Sequence, residues 1–352
     1  MKALLKTGLG KENVELREVP IPTPVKGEAL IRVKVAGLCG TDVHICNDAF
    51  ANTPPVILGH EFSGVVEQVG PDVGVVKPGE RVVAENNPYA CKTCEVCASG
   101  SPNLCPQKRA FGIHSDGAFA DYIKLPAHLL HTVPSNVSFE EAAVAEPIAV
   151  SAHSVIHRCG VTRGDTVVVF GPGPIGLMAA QVARAEGAET VLLVGTNKDE
   201  EVRFKCAKEL QIQTLNAEKK DIRGTVLDLT HGIGADVVVE ASGSGRAIAT
   251  GMDLLKRAGR MAVTGLTGAS EVPVNWDQGV VKELTVFFAY GALGSDWRKA
   301  LQLLSDSKVN VSPLITHHFS LEQWQDALNA LETLQAVKAL FMIGDTEHVD
   351  CM

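Results

Sequence analysis

The chain has 352 residues, of which 45% are hydrophobic and 21% are charged, and its formal net charge at pH 7 is −9. This length exceeds that of an average domain, so we expect two domains. The acidic balance argues against nucleic acid or an anionic membrane as a partner, no apolar run is long enough for a membrane-spanning helix, and the lack of an N-terminal signal region predicts a cytoplasmic protein.

The N-terminal part of the chain predicts short strands joined by turns. Residues 30–35 alternate apolar and basic side chains, as in a half-buried antiparallel strand. Pro20, Pro22 and Pro24 precede them on every second residue, which predicts a loop. Further short apolar runs within residues 65–84 are separated by Gly and Pro, so this part predicts a small, barrel-like β domain.

Two separated segments of this β domain contain residue types that bind zinc. Cys39 lies between glycines and is followed by Thr41 and His44, and His60 stands 21 residues after Cys39, next to Glu61. Cys and His are preferred zinc ligands, and a catalytic zinc needs three protein ligands and an open position. Considered singly, Cys39 is better explained as a small buried residue and His60 as a hydrogen-bonded turn residue.

A second cysteine pattern is more specific. Four of the nine cysteines fall within fifteen residues: Cys91, Cys94, Cys97 and Cys105. In a reducing compartment such thiols favour metal ligation over disulfides, and four thiolates complete a tetrahedral site without an open position. We therefore predict a structural zinc here, with surface thiols or a redox pair as the alternatives. The neighbouring Glu95, Asn103 and Gln107 argue against a nucleic-acid-binding zinc ribbon, because they form no basic surface.

Two further residues are candidates for a site. Glu146 stands in a run of Ala, Val and Ile after a helix predicted over residues 139–145. A carboxylate in apolar surroundings is costly to bury unless it is paired or binds a metal, so Glu146 is a candidate ligand. His114 could line a pocket, although a polar loop is the better explanation of this residue considered alone.

From residue 165 onward the chain alternates strands and helices around a glycine loop. Gly171, Gly173 and Gly176, with Pro174 and Ile175 between the last two, follow an apolar run and precede a helix-forming segment. This G-x-G-x-x-G spacing allows a tight turn, a close approach to a pyrophosphate and close helix packing, at a helix N-terminus that favours phosphate. Continuous apolar strands at 190–194, 235–240 and 260–265 predict a parallel sheet. Helices over 296–304 and 321–334 and a strand over 339–343 are predicted to follow.

Together these motifs resemble the zinc-dependent medium-chain dehydrogenases, the family of the zinc alcohol, polyol and threonine dehydrogenases. The motifs are Cys39-Gly-Thr-Asp-x-His44, Gly59-His60-Glu61, the four-cysteine segment, the glycine loop and residues 313–319. The resemblance implies an α/β protein: a β-rich, GroES-like catalytic domain formed by residues 1–150 and 291–352, and a doubly wound, parallel-sheet Rossmann domain formed by residues 151–290. It also implies a homodimer or homotetramer.

The resemblance also implies roles for the candidate residues. Cys39 and His60 are similar to the catalytic zinc ligands, while Glu61, Glu146 or a water completes the shell. Thr41 and His44 match the family's proton relay. Glu146, where liver-type alcohol dehydrogenases carry Cys, resembles the polyol and threonine dehydrogenase branch. One catalytic and one structural Zn²⁺ per chain are implied.

The cofactor is predicted from the strand that follows the glycine loop. It ends in residues that are small, polar or basic: Gly195, Thr196, Asn197 and Lys198. An NAD site usually carries an acid here, about 20 residues beyond the glycines. Its absence favours NADP over NAD, although Asp199, Glu200 and Glu201 follow and would repel a 2′-phosphate.

The expected substrate is a small secondary alcohol or its ketone: a polyol, a sugar alcohol or a hydroxy-amino acid. His114, Phe119 and Tyr290 are the predicted pocket residues. Ala289 stands where sorbitol dehydrogenases carry Arg, which argues against strict sorbitol specificity. The alternatives are a zinc-free, NADPH-dependent quinone or enone reductase of the same superfamily and a non-catalytic nucleotide-binding protein. The complete set of zinc ligands argues against both.

Overall fold

The computed structural model describes residues 1–87 and 89–344, which form two compact units. Among the described residues, the first unit comprises residues 1–146, 293–301 and 315–344, and the second comprises Pro147–Ala292 and Gln302–Leu314. None of the helices within these residues combines the length and the apolar character that a membrane crossing needs.

The strands and helices of the second unit lie, in sequence, between segments of the first unit. In chain order the strands are β1 Lys2–Lys6, β2 Val14–Glu18, β3 Glu28–Gly37, β4 Val56–Ile57, β5 Glu61–Val69, β6 Arg81–Ala84, β7 Tyr122–Pro126, β8 Leu130–Thr132, β9 Thr166–Phe170, β10 Thr190–Gly195, β11 Gln213–Asn216, β12 Ala235–Glu240, β13 Leu255–Val263, β14 Thr285–Phe288, β15 Ile315–Phe319 and β16 Lys338–Met342. The α-helices are α1 Gly40–Cys46, α2 Glu95–Ala98, α3 Phe139–Ala143, α4 Ala145–Ala152, α5 Pro174–Ala185, α6 Arg203–Glu209, α7 Ile222–Leu229, α8 Gly245–Leu254, α9 Trp276–Lys282, α10 Gly294–Ser305 and α11 Trp324–Glu332.

The first unit is organised around β3. Its mixed sheet has the order β15-β16-β3-β5-β6-β8, with β7 also paired to β3, and a smaller sheet has the order β2-β1-β4. The strand predicted over 30–35 is confirmed as the middle of β3. At its end, Gly37 pairs with Glu61 at the start of β5. This register brings the segment after β3, which contains Cys39, next to His60.

The second unit contains a six-stranded sheet whose strand pairs are all parallel, in the order β11-β10-β9-β12-β13-β14. The order reverses direction between β9 and β12, as in a doubly wound dinucleotide-binding fold. Val167, Val168 and Val169 in β9 are fully buried, as their continuous apolarity predicts. The predicted fold class is therefore confirmed.

Three predicted elements differ in detail. The segment after Cys39 is helical from Gly40 rather than a turn, because the Asp42 side chain caps the new helix by accepting a hydrogen bond from the Cys39 N–H at 2.8 Å. The helix predicted over 139–145 ends at Ala143, and α4 begins at Ala145. The last predicted helix begins with a 3₁₀ turn at 321–323.

Candidate functional site

Three predicted metal ligands converge in the first unit. One ligand atom from each of Cys39, His60 and Glu61 lies within 4.8 Å of the other two. Cys39 is at the N-cap of α1, and His60 and Glu61 lie where β5 begins. A Cβ at Gly37 would lie 2.5 Å from Glu61 Oε2, so glycine at the end of β3 allows this close approach. The structure thus brings together a thiol, an imidazole and a carboxylate.

A buried carboxylate that sequence reasoning did not single out supports His60. Asp42 is fully buried, and its Oδ1 lies 3.2 Å from His60 Nδ1. Burial would lower the pKa of His60, but the Asp42 charge raises it well above 6.5. The contact has the distance of an ion pair but not the geometry of a hydrogen bond, and a carboxylate on the Nδ1 side of the ring leaves Nε2 for a metal. The Cys39–Asp42 spacing, which resembles a capping box, was the available signal.

Glu61 has a buried cationic partner from a distant part of the chain. Lys338 Nζ lies 2.5 Å from Glu61 Oε2 and donates a hydrogen bond to the carbonyl oxygen of Leu38 at 2.8 Å. The Lys338 and Glu61 side chains are 2% and 1% exposed. Burial would lower the pKa of Lys338, yet the Glu61 charge raises it overall. No motif in the sequence indicated this lysine.

Glu146 is buried near these groups but is not one of the three that converge. Its Oε1 accepts a hydrogen bond from Asn86 Nδ2 at 2.8 Å. Burial raises the pKa of Glu146 to about 7, and the nearby Glu61 charge adds to this effect. The carboxylate predicted as a possible ligand is therefore desolvated and close to the centre, as expected for a residue that a cation would compensate.

The residues present fit a zinc ion. Thiolate, imidazole and carboxylate are the donor types that zinc prefers. Glu61 Oε1 is buried and has no hydrogen-bond partner among the described residues, which is costly unless a cation is bound. Three protein ligands would leave a fourth position open.

Thr41 and His44, the predicted proton relay, lie in the helix that Cys39 caps. They are three residues apart in α1, so their side chains lie on one face. Thr41 is half-buried and His44 is exposed. This pair therefore extends from the partly buried start of the helix toward solvent.

The four cysteines of the predicted structural site also converge. Sγ of Cys91 lies 3.5 Å from that of Cys105 and 4.0 Å from that of Cys97, and Sγ of Cys94 lies 4.0 Å from that of Cys105. These separations exceed a disulfide bond and match four sulfurs around one ion. Hydrogen bonds from Thr93 and the Cys94 N–H lower the pKa of Cys91 to about 6, which favours the thiolate.

Each glycine of the loop after β9 has a distinct environment. Gly171 has a positive φ of 92°. A Cβ at Gly176 would lie 1.8 Å from the Gly171 carbonyl oxygen, so α5 can pack this closely only with glycine. A Cβ at Gly173 would meet nothing within 4 Å. Gly173 thus faces open space at the N-cap of α5, with Pro174 and Ile175 opening the helix. These are the three roles expected of a dinucleotide-binding loop.

The acids after β10 are all paired with cations. Asp199 pairs with Arg203 Nη1 at 2.9 Å, and Glu200 pairs with Lys219 Nζ at 2.7 Å. Glu201 pairs with Lys205 Nζ at 3.2 Å. Asp199 also accepts a hydrogen bond from the Thr196 N–H at 2.8 Å, which fixes the turn that begins with Gly195. Asn197 and Lys198 remain exposed. The repulsion expected from these three acids is therefore reduced.

The predicted pocket residues have three different environments. Phe119 is 1% exposed and packs edge-on against Phe341 at 4.9 Å, so the substrate contact predicted for it is wrong: it is a core residue. His114 Nδ1 accepts a hydrogen bond from the Ala110 N–H at 3.2 Å, and burial lowers its pKa. Tyr290 follows β14 in the second unit and is partly exposed. Roles for His114 and Tyr290 stay predictions.

Comparison with known proteins gives concordant matches over nearly the whole chain. The family model of the alcohol dehydrogenase GroES-like domain matches residues 25–135, and that of the zinc-binding dehydrogenases matches residues 174–306. A sorbitol dehydrogenase of Halalkalibacterium halodurans is 40% identical over 97% of this chain and 98% of its own. An L-threonine 3-dehydrogenase of Bacillus subtilis is 38% identical over 97% and 98%. A crystal structure of a Sinorhizobium meliloti protein bound to NADP has a TM-score of 0.90 at 31% identity, covering 97% and 98%.

Proposed function

The chain belongs to the zinc-dependent medium-chain dehydrogenases, and we propose that it oxidises a polyol, a sugar alcohol or a hydroxy-amino acid with NADP. Membership makes it a zinc-binding oxidoreductase that transfers a hydride between a CH–OH carbon of a small alcohol and a nicotinamide cofactor. The proposed catalytic zinc ligands are Cys39, His60 and Glu61, with Glu146 beside them. The four cysteines hold a second, structural zinc.

The observation that carries this assignment is the convergence of Cys39, His60 and Glu61 within 4.8 Å in the first unit. If Cys39 were only a small buried residue and His60 only a hydrogen-bonded turn residue, neither would need a buried carboxylate such as Glu61 beside it. The zinc-free reductase and the non-catalytic protein predicted as alternatives are not favoured, because neither needs this set of ligands.

When bound, the zinc lowers the pKa of the substrate hydroxyl, and the nicotinamide accepts the hydride. The chain supplies the geometry for both events. Asp42 orients His60, and Lys338 holds Oε2 of Glu61 so that Oε1 remains for the metal. The N-terminus of α5 binds the pyrophosphate of the cofactor through its free N–H groups.

The proton of the substrate hydroxyl leaves through α1. Thr41, half-buried in the first turn, accepts this proton as it gives up its own hydroxyl proton toward His44, which is exposed one turn later and releases a proton to solvent. An imidazole suits this role because it can both take up and release a proton. A Thr41→Val variant should lose turnover while keeping its zinc, since valine has the same shape but no hydroxyl.

The central experiment combines zinc analysis with a substrate screen. Purified protein should contain two zinc ions per chain and oxidise members of a panel of polyols and amino alcohols. Cys39→Ala should retain one zinc, remain folded and lose activity. Full turnover by Cys39→Ala, or fewer than one zinc in the wild-type protein, would contradict the proposal.

The preference for NADP rests on the pairing of the acids that follow β10. Lys198 is exposed and forms no ion pair among the described residues, so its ammonium group is available to a 2′-phosphate. Lys198→Ala should reduce kcat/KM for NADP roughly 10-fold, about 1.4 kcal/mol, and leave that for NAD unchanged. Lys208→Ala, an exposed lysine of α6, is the control. A wild-type preference for NAD would refute this part of the proposal.

The sheet of the second unit also supports a homo-oligomer. In the described part of the chain, β14 lies at the sheet edge, where backbone groups are open to pairing. Phe288 at its end is 74% exposed, and Trp276 and Val280 on α9 are exposed as well. A second copy that paired along β14 would cover this apolar surface. Phe288→Glu should shift the mass measured by light scattering toward that of the monomer.

A further inference from the structure

A hydrogen bond from Asn86 to Glu146 connects the metal centre with the start of the four-cysteine segment. Asn86 follows β6 and precedes Cys91, and its Nδ2 donates to Glu146 Oε1 at 2.8 Å. The two residues are 60 positions apart in the sequence. Neither the motifs nor the proposed catalytic roles include Asn86.

The orientation of the Asn86 amide is itself fixed. In the side chain, Asn87 Nδ2 donates to Asn86 Oδ1 at 3.1 Å. In the backbone, the carbonyl oxygen of Asn86 accepts a hydrogen bond from the Phe111 N–H at 3.2 Å. With Oδ1 occupied by a donor, the amide presents its Nδ2 hydrogens to Glu146. Hydrogen bonds in such a chain polarise one another and strengthen the last donor.

The two carboxylates at the centre are compensated differently. Glu61 has a cationic partner, Lys338, whereas the partner of Glu146 is a neutral amide. A neutral donor orients a carboxylate and stabilises its charged form without cancelling the charge. The Asn86 hydrogen bond is made to Oε1 of Glu146 and does not engage Oε2. Glu146 therefore has one oxygen that this amide does not engage, and a cation beside it would favour the charged form of the carboxylate.

We propose that Asn86 is a positioning residue that holds Oε1 of Glu146 and leaves Oε2 to the catalytic zinc centre, so that zinc retention depends on this amide. This inference rests on the proposed function. Partners of this kind orient groups at metal sites, and their loss typically reduces metal affinity or activity by roughly 10- to 100-fold. Asn86 also connects the centre to the base of the four-cysteine segment, which the Tyr89–Arg109 bridge closes.

The test measures the loss of zinc from the holoenzyme to a chromophoric chelator. The phase that belongs to the catalytic centre is the one that is missing in Cys39→Ala. Asn86→Asp, which has the same shape but places an oxygen against Glu146, should accelerate this phase roughly 10-fold or more and leave the other phase unchanged. The Co²⁺-substituted enzyme should show an altered d–d absorption spectrum. Asn86→Ala, which adds no charge, should change both readouts in the same direction.

Asn47 provides a matched control. Its Nδ2 donates to Glu332 Oε1, also at 2.8 Å, but Asn47 is exposed and Glu332 is not among the converging ligands. Asn47→Asp should leave both zinc phases and the cobalt spectrum unchanged.

A double variant distinguishes positioning from a general effect on the fold. In a Glu146→Gln background, the carboxylate that Asn86→Asp introduces can accept a hydrogen bond from the new amide, so this substitution should change zinc loss less than about twofold. Equal effects in both backgrounds, or wild-type zinc loss and cobalt spectrum in both single variants, would overturn the inference. If instead Cys39→Ala keeps two zinc ions, or the wild-type enzyme oxidises no alcohol, the proposed function fails first.

Discussion

Replacing Lys338 with Met should strongly destabilise the metal-free protein. The substitution removes the cation 2.5 Å from Glu61 Oε2 and the hydrogen bond to the Leu38 carbonyl oxygen. Because Glu61 is 1% exposed, water cannot solvate the carboxylate that is left behind. Removing one partner of such a buried pair costs about 3–5 kcal/mol of the free energy of unfolding.

The same reasoning predicts that zinc and a second substitution reduce this loss. A divalent cation beside Glu61 Oε1 supplies the missing countercharge, so the zinc-loaded Lys338→Met protein should lose less stability than the metal-free one. In the Lys338→Met/Glu61→Gln protein no buried charge remains at this pair, so most of the loss should be recovered. Urea unfolding followed by circular dichroism and tryptophan fluorescence measures both variants and the wild-type protein, each with and without zinc.

Lys124→Met is the matched control, because Lys124 Nζ also pairs with a glutamate, Glu28 Oε2 at 2.8 Å, in the same unit. The side chains of Lys124 and Glu28 are 30% and 23% exposed, so the substitution should lower the free energy of unfolding by only about 0–1 kcal/mol. A Lys338→Met protein as stable as this control would refute the reasoning. So would a double variant that is less stable than the single one.

Three further predictions concern other parts of the chain. Gly173→Ala should fold and bind NADPH weakly, whereas Gly176→Ala should be destabilised by its clash with the loop carbonyl; thermal melts and cofactor titrations separate the two effects. Cys97→Ser should lose one zinc and lower the melting temperature, and a variant with both zinc ions would contradict the structural site. The pKa of His114 is lowered by burial and two nearby cations, so its NMR titration should have a midpoint below 6.5. The folded-state pKa of His114 lies below its unfolded-state value. Its contribution to the free energy of unfolding is therefore present above about pH 6.5 and is lost as the pH falls through the folded-state pKa.

The sequence predicted those parts of the site that depend on local patterns. Gly171, Gly173 and Gly176 occupy a turn whose geometry follows from their spacing, and the four cysteines lie close enough in sequence to converge on one ion. Cys39 and His60 could be matched by residue type and by resemblance. Their convergence depends on the pairing of Gly37 with Glu61, which is a property of sheet register.

The remaining parts depend on contacts between distant segments. Lys338 reaches Leu38, which lies 300 residues earlier, and no periodicity or motif marks either residue as a partner of the other. The Asn86–Glu146 hydrogen bond is of the same kind. Phe119 shows the opposite error: it was predicted as a pocket residue, but its ring packs in the core against Phe341. Residue type alone could not distinguish these environments.

The charges of the centre explain why these distant partners matter. Four acidic groups, Cys39, Asp42, Glu61 and Glu146, are gathered with one buried lysine and with His60, whose pKa Asp42 raises, and unpaired buried charge is costly. Lys338 and His60 lie beside Glu61 and Asp42, and a zinc ion would supply the countercharge that an ionised Glu146 lacks. If a second lysine stood in place of Asn86, the metal-free centre would carry less unpaired negative charge, and the added positive charge would repel a metal ion. Because the Asn86 amide is neutral, it supplies no positive charge to Glu146. A divalent cation would supply that charge, and this couples metal binding to the stability of the first unit.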